Sequence, residues 1–366
     1  MPTPTNNGRR IAGPDQASSC YFRTTTNGAD RKALLQITER CNLHCAHCFV
    51  SAVKDGLDLS LSQIEQQILP QLAAARVTRL TLTGGEPFAH PDLLAITSAA
   101  RRLQMTVTIC TNGTFDDEAV LDALQALGGV AVNVSLDGFS AQSHGKFRGD
   151  PASFETTKAT VAALGRRGLL KGILSTPNSL AQAVEYDALC RHARDCGAEY
   201  VLMNPLAPLG RGVKGQRRLA AETRQMNAVR RLTAAHASDE LDIVHIRFPN
   251  DHAPLSGCEA GTIIYVFANG DVTVCPYLVF AARTPDSRYP AGDFIVGNAL
   301  DNDDIPARLD RYRLHDRTTR PDPVCDTCAL AAGCGRGCPA AVIGAGGTLG
   351  DRDPHQCPIE AADQAA

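Results

Sequence analysis

From Lys32 to about Leu209, short β-rich runs alternate with longer helical ones, and this alternation constrains the fold more than any other feature of the chain. Strands are expected at 33–37, 79–83, 106–110, 132–136, 171–175 and 200–204, with helices such as 62–75, 116–127, 154–166 and 183–196 between them. Strand–helix repetition at this spacing implies parallel strands joined by helical crossovers. Six such units fit an incomplete (β/α) barrel, and an open doubly wound sheet has the same local pattern. In barrels, chemistry collects at the C-terminal ends of the strands. That is where the first conspicuous cysteines fall.

Cys41, Cys45 and Cys48 follow the first expected strand with the spacing C-x3-C-x2-C. Three thiolates leave one iron of a [4Fe–4S] cube without a protein ligand, whereas a cluster that only carries electrons normally has four. Zinc knuckles favour C-x2-C pairs and a fourth ligand. The chain has 14 cysteines, and its first 30 residues are polar, with no apolar stretch of a secretory signal. Spaced cysteines in a reducing compartment bind metal more often than they pair, so a cytoplasmic location is expected. A net charge of −3 implies neither a nucleic-acid footprint nor a membrane-surface patch. No apolar run approaches the length of a transmembrane helix. At 366 residues and 44% hydrophobic, one large core plus a smaller one is affordable.

Four further segments sit at strand ends. Gly84-Gly85-Glu86-Pro87 follows the second strand, and two glycines permit close approach of a ligand. Thr111-Asn112-Gly113 ends the third strand. Ser135 and Asp137 end the fourth, sharing a face by the period of two. His144-x3-Arg148-Gly149 follows. With the three-cysteine run, this set resembles the radical S-adenosylmethionine (radical SAM) enzymes. The resemblance implies that the amine and carboxylate of SAM chelate the open iron and that Glu86 receives the amine. Asn112, Ser135 and Asp137 would line the nucleoside side, the last two reaching the ribose hydroxyls, and Arg148 would pair with the SAM carboxylate. A planar guanidinium suits that last role. The turn at 205–212 resembles another pocket-lining segment of this group.

After Gly210 the texture changes. Residues 213–240 read as a basic, exposed helical stretch carrying Lys214, Arg217, Arg218, Arg224, Arg230 and Arg231. Beyond residue 251 the chain is rich in Gly, Pro and Cys, with a hairpin expected at 262–267 and 272–274 around Asn269-Gly270. Seven spaced cysteines occur here. Gly270 follows Cys258 after eleven residues, and Cys275 follows Gly270 after four. Then come Cys325-x2-Cys328-x5-Cys334-x3-Cys338, and finally Cys357. This spacing resembles the SPASM domain, which holds two auxiliary [4Fe–4S] clusters. The resemblance implies a fully ligated outer cluster on Cys325, Cys328, Cys334 and Cys357. It leaves an inner cluster with only Cys258, Cys275 and Cys338. The stretch before Cys258 has no cysteine, so either Asp251 or His252 substitutes or one iron stays open for a substrate group. Cys110, Cys190 and Cys196 read as packing thiols, and Cys20 as a free thiol in the N-terminal arm.

The expected architecture is therefore α/β, a partial (β/α)6 TIM-like barrel with a C-terminal cysteine-rich SPASM domain containing a small β-hairpin. Its parts are a flexible arm at 1–30, the radical SAM core at 31–212, a bridging helical segment at 213–250 and the auxiliary-cluster domain at 251–366. The resemblance implies three [4Fe–4S] clusters and SAM as cofactors, and reductive cleavage of SAM to a 5′-deoxyadenosyl radical that abstracts a substrate hydrogen. A reducing partner such as flavodoxin or ferredoxin is implied, with no nucleic acid and no membrane. Relatives with this array mostly modify peptides or proteins by crosslinking or side-chain oxidation, which makes peptide modification the first expectation. The absence of a winged-helix-like peptide-binding segment points to a separate peptide-binding protein or to no leader. It also sustains the alternative of a small-molecule substrate (a sugar, nucleoside or tetrapyrrole) in natural-product or cofactor biosynthesis. A non-catalytic iron–sulfur or zinc scaffold is the third possibility. The sulfatase-maturing branch carries an Asp directly after the cysteine equivalent to Cys275, where this chain has Pro276; Tyr277 is an alternative acid or base, or a packed aromatic.

Overall fold

A computed structural model of the chain describes residues 16–21, 30–250, 252–301, 304–318 and 320–359. The flexible arm expected at 1–30 lies outside these, apart from residues 16–21 and Asp30. All six expected strands form: β1 (Arg31–Thr38), β2 (Val77–Gly84), β3 (Thr106–Thr111), β4 (Val130–Ser135), β5 (Leu170–Ser175) and β6 (Tyr200–Met203). They pair in parallel, each with the next, in register such as Leu80↔Val107 and Ile109↔Val132. The order is that of a partial barrel wound in one direction, not of a doubly wound sheet, whose strand order reverses at a switch point.

Helices cross back on the outside. The first runs from 61 to 74 with a π-helical turn in its middle, started by a capping box between Ser60 and Gln63. Others span Leu93–Arg102, Glu118–Leu127 (capped by Asp117), Ser153–Arg166 and Ala183–Asp195. Val132, Val134, Ile109, Leu82 and Leu35 are completely buried in the sheet's core, each stabilising the fold by about 1.5–3 kcal/mol.

The sheet continues past the sixth strand. The stretch expected as one exposed bridging segment is two helices, Gly212–Leu219 and Thr223–Ala234. The second buries Met226, Val229 and Thr233 and leads into β7 (Asp242–His245), which pairs in parallel with β6. A four-residue, half-exposed edge strand of sequence Asp-Ile-Val-His carries little alternation, which is why its pattern does not stand out.

The hairpin forms as expected, β8 (Ile263–Val266) with β9 (Asp271–Thr273), and β9 adds a third antiparallel strand, β10 (Ile295–Asn298). It is not an isolated element. Strand β8 pairs in parallel with β1, so one ten-stranded sheet runs β10-β9-β8-β1-β2-β3-β4-β5-β6-β7. The cysteine-rich region is thus attached directly to the strand that delivers Cys41. A second apolar core, with Tyr265, Phe267, Leu278, Val279, Phe280 and Ile343, lies beneath it. No described helix is long and apolar enough to cross a membrane.

Candidate metal centres

Cys41, Cys45 and Cys48 lie on an irregular loop that leaves β1 and is fastened at several points. Thr38 Oγ1 donates to Asp58 at 2.5 Å, and Arg40 forms an ion pair with the same carboxylate at 2.6 Å. Behind the loop, the Arg211 side chain donates to the carbonyls of Cys45 (2.9 Å) and Ala52 (2.7 Å), and its main-chain N–H donates to that of Cys48 (3.0 Å). A side chain on Gly210 would collide with the Cys48 and Phe49 carbonyls. Donors surround the sulfurs. Leu43 N–H is 3.4 Å from Cys41 Sγ, Asn112 Nδ2 3.9 Å from the same atom, and Arg148 Nη1 4.0 Å from Cys45 Sγ. Burial pushes the Cys45 thiol up to about 12. A thiolate there needs compensation, which a bound cation together with Arg148 supplies. The donor set therefore fits an iron–sulfur cluster.

The expected pocket residues gather at the same end of the sheet, with altered emphasis. Gly84 and Gly85 bring the chain against the main chain of Thr38–Arg40. A Cβ on either would lie 2.1–2.2 Å from the carbonyl of Thr38 or Arg40, and Gly84 has φ +140°. The close approach expected toward a ligand is thus an approach to the entrance of the cysteine loop. Glu86 is buried and links this turn to the end of β3. It accepts from Phe88 N–H (3.0 Å), Thr111 Oγ1 (2.7 Å) and Asn112 N–H (2.7 Å). Burial raises its carboxyl above the ordinary range, against those donors. Pro87 is buried and begins a short 3₁₀ turn.

Ser135 is the last residue of β4. Both oxygens of Asp137, expected at the ribose, are engaged within the protein. One accepts from Arg148 Nε at 2.7 Å and the other from Thr176 N–H at 2.7 Å. Burial alone would raise this carboxyl, but the Arg148 guanidinium and the Thr176 amide hold it below its ordinary value. Asp137 thus fixes the orientation of Arg148, a role its spacing did not reveal. His47 stacks on Phe147 at 4.3 Å, and His144 Nδ1 accepts from Asp137 N–H at 3.1 Å. Burial holds both histidines neutral, at about 4 and about 3. At the ends of β5 and β6, Ser175 Oγ and Asn204 Oδ1 are buried without a hydrogen-bond partner, as is Thr81 Oγ1 on β2. Unpaired buried polar atoms at this end of the sheet fit a polar cofactor such as SAM.

Cys325, Cys328, Cys334 and Cys357 line one cavity of ≈ 390 Å³ together with Arg336 and Arg352. Main-chain N–H groups of Leu255 and Leu330 lie 3.4 Å from Cys334 Sγ and Cys328 Sγ. The four residues grouped by spacing are therefore brought together, with donors aimed at sulfur.

Cys275 and Cys338 are buried in the second core, with Cys258 nearby at the surface. Asp251 lies outside the described residues, and His252 is exposed. Cys20 also lies in this region. Expected as a free thiol on a mobile arm, it is 2% exposed, and its thiol donates to the carbonyls of Gly257 (3.4 Å) and Gly337 (3.5 Å), which precede Cys258 and Cys338. Residues 17–21 are built into the cysteine-rich region. Ala17 pairs with Leu255, Ser19 bonds Ser256, and Tyr21 stacks on Tyr277 at 5.0 Å. Arg247 fastens the segment, donating to Ser19 O (2.6 Å), lying 4.6 Å over Tyr21 and pairing with buried Asp353, which in turn accepts from Cys338 N–H. Tyr277 also meets Phe49, next to Cys48, at 5.6 Å, so aromatic rings connect the two cysteine regions. Cys190 is buried in its helix and Cys196 contacts His192, as packing thiols. Sequence reading gave Arg247 no role, took Cys20 as a free thiol, and noted Arg211 only within the turn at 205–212. Only Arg211 had a local signal, as the cation between two glycines.

The comparisons with known proteins agree with this geometry. Residues 35–177 match the profile described as the Radical SAM superfamily. The AdoMet-dependent heme synthase of Methanosarcina barkeri is 31% identical over 187 residues, 50% of this chain and 53% of that protein. The chain spans 49–59% of the length of the first four curated relatives. The mycofactocin maturase MftC of Mycobacterium ulcerans is 27% identical over 330 residues, 87% of this chain and 86% of that protein. Among solved structures, Streptococcus suis SuiB bound to S-adenosylmethionine has TM-score 0.67 at 16% identity, covering 90% of this chain and 78% of that one. That likeness extends the shared fold across the cysteine-rich region. With three cysteines on the loop after β1, their donors and a parallel partial barrel behind them, residues 35–177 are a radical SAM domain.

Proposed function

We propose that the chain is a radical SAM enzyme that oxidatively modifies a peptide or protein, by crosslinking or side-chain oxidation, in a maturation pathway. The observation that carries the substrate class is the span of the likeness to MftC, named a maturase, which covers 87% of this chain and 86% of that protein. Cys41, Cys45 and Cys48 hold a [4Fe–4S] cluster with one iron left for SAM. Bound there, the cluster and SAM would supply one-electron reductive cleavage and the abstraction of a substrate hydrogen atom.

The protein's part is to bind and orient. Arg148, fixed by Asp137, presents its remaining N–H groups to the SAM carboxylate. Glu86 retains lone pairs for the amine. Asn112, Ser135 and the unpartnered Ser175 and Asn204 receive the polar edge of the nucleoside. Cys325, Cys328, Cys334 and Cys357 hold an outer auxiliary cluster, and Cys258, Cys275 and Cys338 contribute to an inner one. Such clusters would supply an acceptor for the electron that an oxidative modification releases, and a flavodoxin or ferredoxin would be the reducing partner.

The test is anaerobic incubation of the reconstituted, reduced protein with SAM and a candidate precursor peptide. 5′-Deoxyadenosine and a peptide that has lost two hydrogen atoms are expected. An unchanged peptide with every candidate, alongside turnover of a tetrapyrrole, favours the second reading, small-molecule chemistry. The 31% and 32% identical relatives, named as heme and pre-heme d1 synthases, point to that reading.

A further inference from the structure

We infer that Cys20 is the fourth protein ligand of the inner auxiliary cluster, closing the site left incomplete by Cys258, Cys275 and Cys338. The inference rests on the auxiliary-cluster reading above and goes beyond it, because Cys20 lies 238 positions before Cys258 in the chain and belongs to no recognisable spacing.

Three independent observations place it there. Cys20 is 2% exposed and packs in the same apolar core as Cys275 and Cys338. Its sulfur lies 3.4 Å from the carbonyl of Gly257 and 3.5 Å from that of Gly337, the residues immediately before Cys258 and Cys338. Its backbone is also fixed on both sides. Ser19 forms a buried hydroxyl pair with Ser256 at 2.9 Å, and Tyr21 is held between Tyr277 and Arg247. Arg247 is buried, satisfied by Asp353 and Ser19 O, and places a permanent positive charge beside the cysteines. A site that gathers three buried thiols and exposed Cys258 beside the Arg247–Asp353 pair suits a four-thiolate cluster. Among the described residues no three such side chains form a site for a single metal ion. A four-iron cube has a different requirement, taking one thiolate at each of its iron corners. Ligation forms one iron–sulfur bond, releases the Cys20 proton to solvent and displaces the water or small ligand otherwise carried by the fourth iron. No electron is transferred.

The consequence is functional. With Cys20 in place the inner cluster has no open iron for a substrate group, and its role is electron transfer. The N-terminal segment becomes part of the cofactor site.

The experiment uses the full chain carrying Cys41, Cys45 and Cys48→Ala, so that only the auxiliary sites remain. After anaerobic reconstitution, iron per chain, the electron paramagnetic resonance spectrum and the midpoint potentials are measured. The parent should bind about eight irons, four per cube. Cys20→Ala should yield an inner cluster that loses one iron on mild oxidation and gives a new three-iron signal. Cys20→Ser, isosteric and able to ligate through oxygen, should keep the iron count and shift one potential. Cys190→Ala, a buried thiol remote from the site, should match the parent. Spectra, iron counts and potentials of both Cys20 variants identical to the parent would overturn the assignment alone. A parent that binds no iron would overturn the auxiliary-cluster reading and this assignment with it. If Cys20→Ala fails to fold by circular dichroism, Cys20→Ser decides.

Discussion

The two cysteine regions are built in opposite ways. The three cysteines after β1 fall within eight residues, and their loop is held by contacts to its own base, with Asp58, Gly84, Gly85 and Arg211 closing around it. The inner auxiliary region assembles Cys20, Cys258, Cys275 and Cys338, which span most of the chain, and depends on one buried ion pair, Arg247–Asp353, to hold its first member in place. A locally built site can be read from spacing. A site closed by tertiary contact cannot, because the fourth thiol is brought in by a segment whose own sequence carries no periodic signal.

The contrast is broken most severely at the local site. Cys45→Ala should reduce 5′-deoxyadenosine formation to background, while Cys334→Ala, in the outer array, should leave SAM binding intact by equilibrium dialysis and impair product formation. Next in size are the two buried ion pairs. Arg148→Met and Arg247→Met each strand a buried carboxylate, and each should cost about 3–5 kcal/mol in anaerobic denaturant unfolding. Their secondary effects should differ. Arg148→Met loses SAM affinity, whereas Arg247→Met speeds hydrogen exchange at the Ala17 and Ser19 amides, now bonded to Pro254 O and Ser256 Oγ.

A smaller effect concerns pH. Burial holds His144 at about 3 and His245 at about 4, below the value of about 6.5 for an unfolded histidine. Below pH 6.5 the unfolded chain takes up protons that the folded chain refuses, so stability is complete above that pH and falls as the pH drops toward the folded values. At pH 5 the loss should be about 2 kcal/mol for each histidine. His245→Gln should remove one share of that slope in unfolding measured from pH 7 to pH 5. The smallest effect is expected from removing the hydroxyl of Tyr277. Burial raises its hydroxyl well above the ordinary value, and its ring packs against Tyr21, Phe49 and Phe280. Tyr277→Phe should keep the SAM cleavage rate within about fivefold, since a neutral hydrogen bond contributes only about 1 kcal/mol. Tyr277→Ala should destabilise by about 3–5 kcal/mol. A large loss of rate in Tyr277→Phe with unchanged stability would make this residue an acid or base after all.

How far the sequence could be read follows from the same physics. Strands β1 to β6 were legible because buried parallel strands are short apolar runs that repeat, and the hairpin because Asn269-Gly270 specifies its turn. Strand β7 was not, being a polar-ended edge strand, nor was the union of β8 with β1, since parallel pairing between distant segments leaves no local mark. Spacing singled out ten cysteines, of which Cys325, Cys328, Cys334 and Cys357 come together around one cavity. The neighbours that orient them were read less well. Asp137 was legible as a strand-end carboxylate but not as the partner of Arg148, and the Gly84-Gly85 turn as a close approach but not as one to the cysteine loop's own backbone. Spacing identifies ligands, whereas the partners of ligands depend on which strand ends meet.

The most direct test of the central claim, that Cys41, Cys45 and Cys48 hold a cluster whose fourth iron takes SAM, is the electron paramagnetic resonance spectrum of the reduced protein before and after SAM is added. A signal that changes on addition of SAM and is missing in Cys45→Ala is the predicted result. A spectrum unchanged at saturating SAM, with the cluster intact and reduced, would contradict the account.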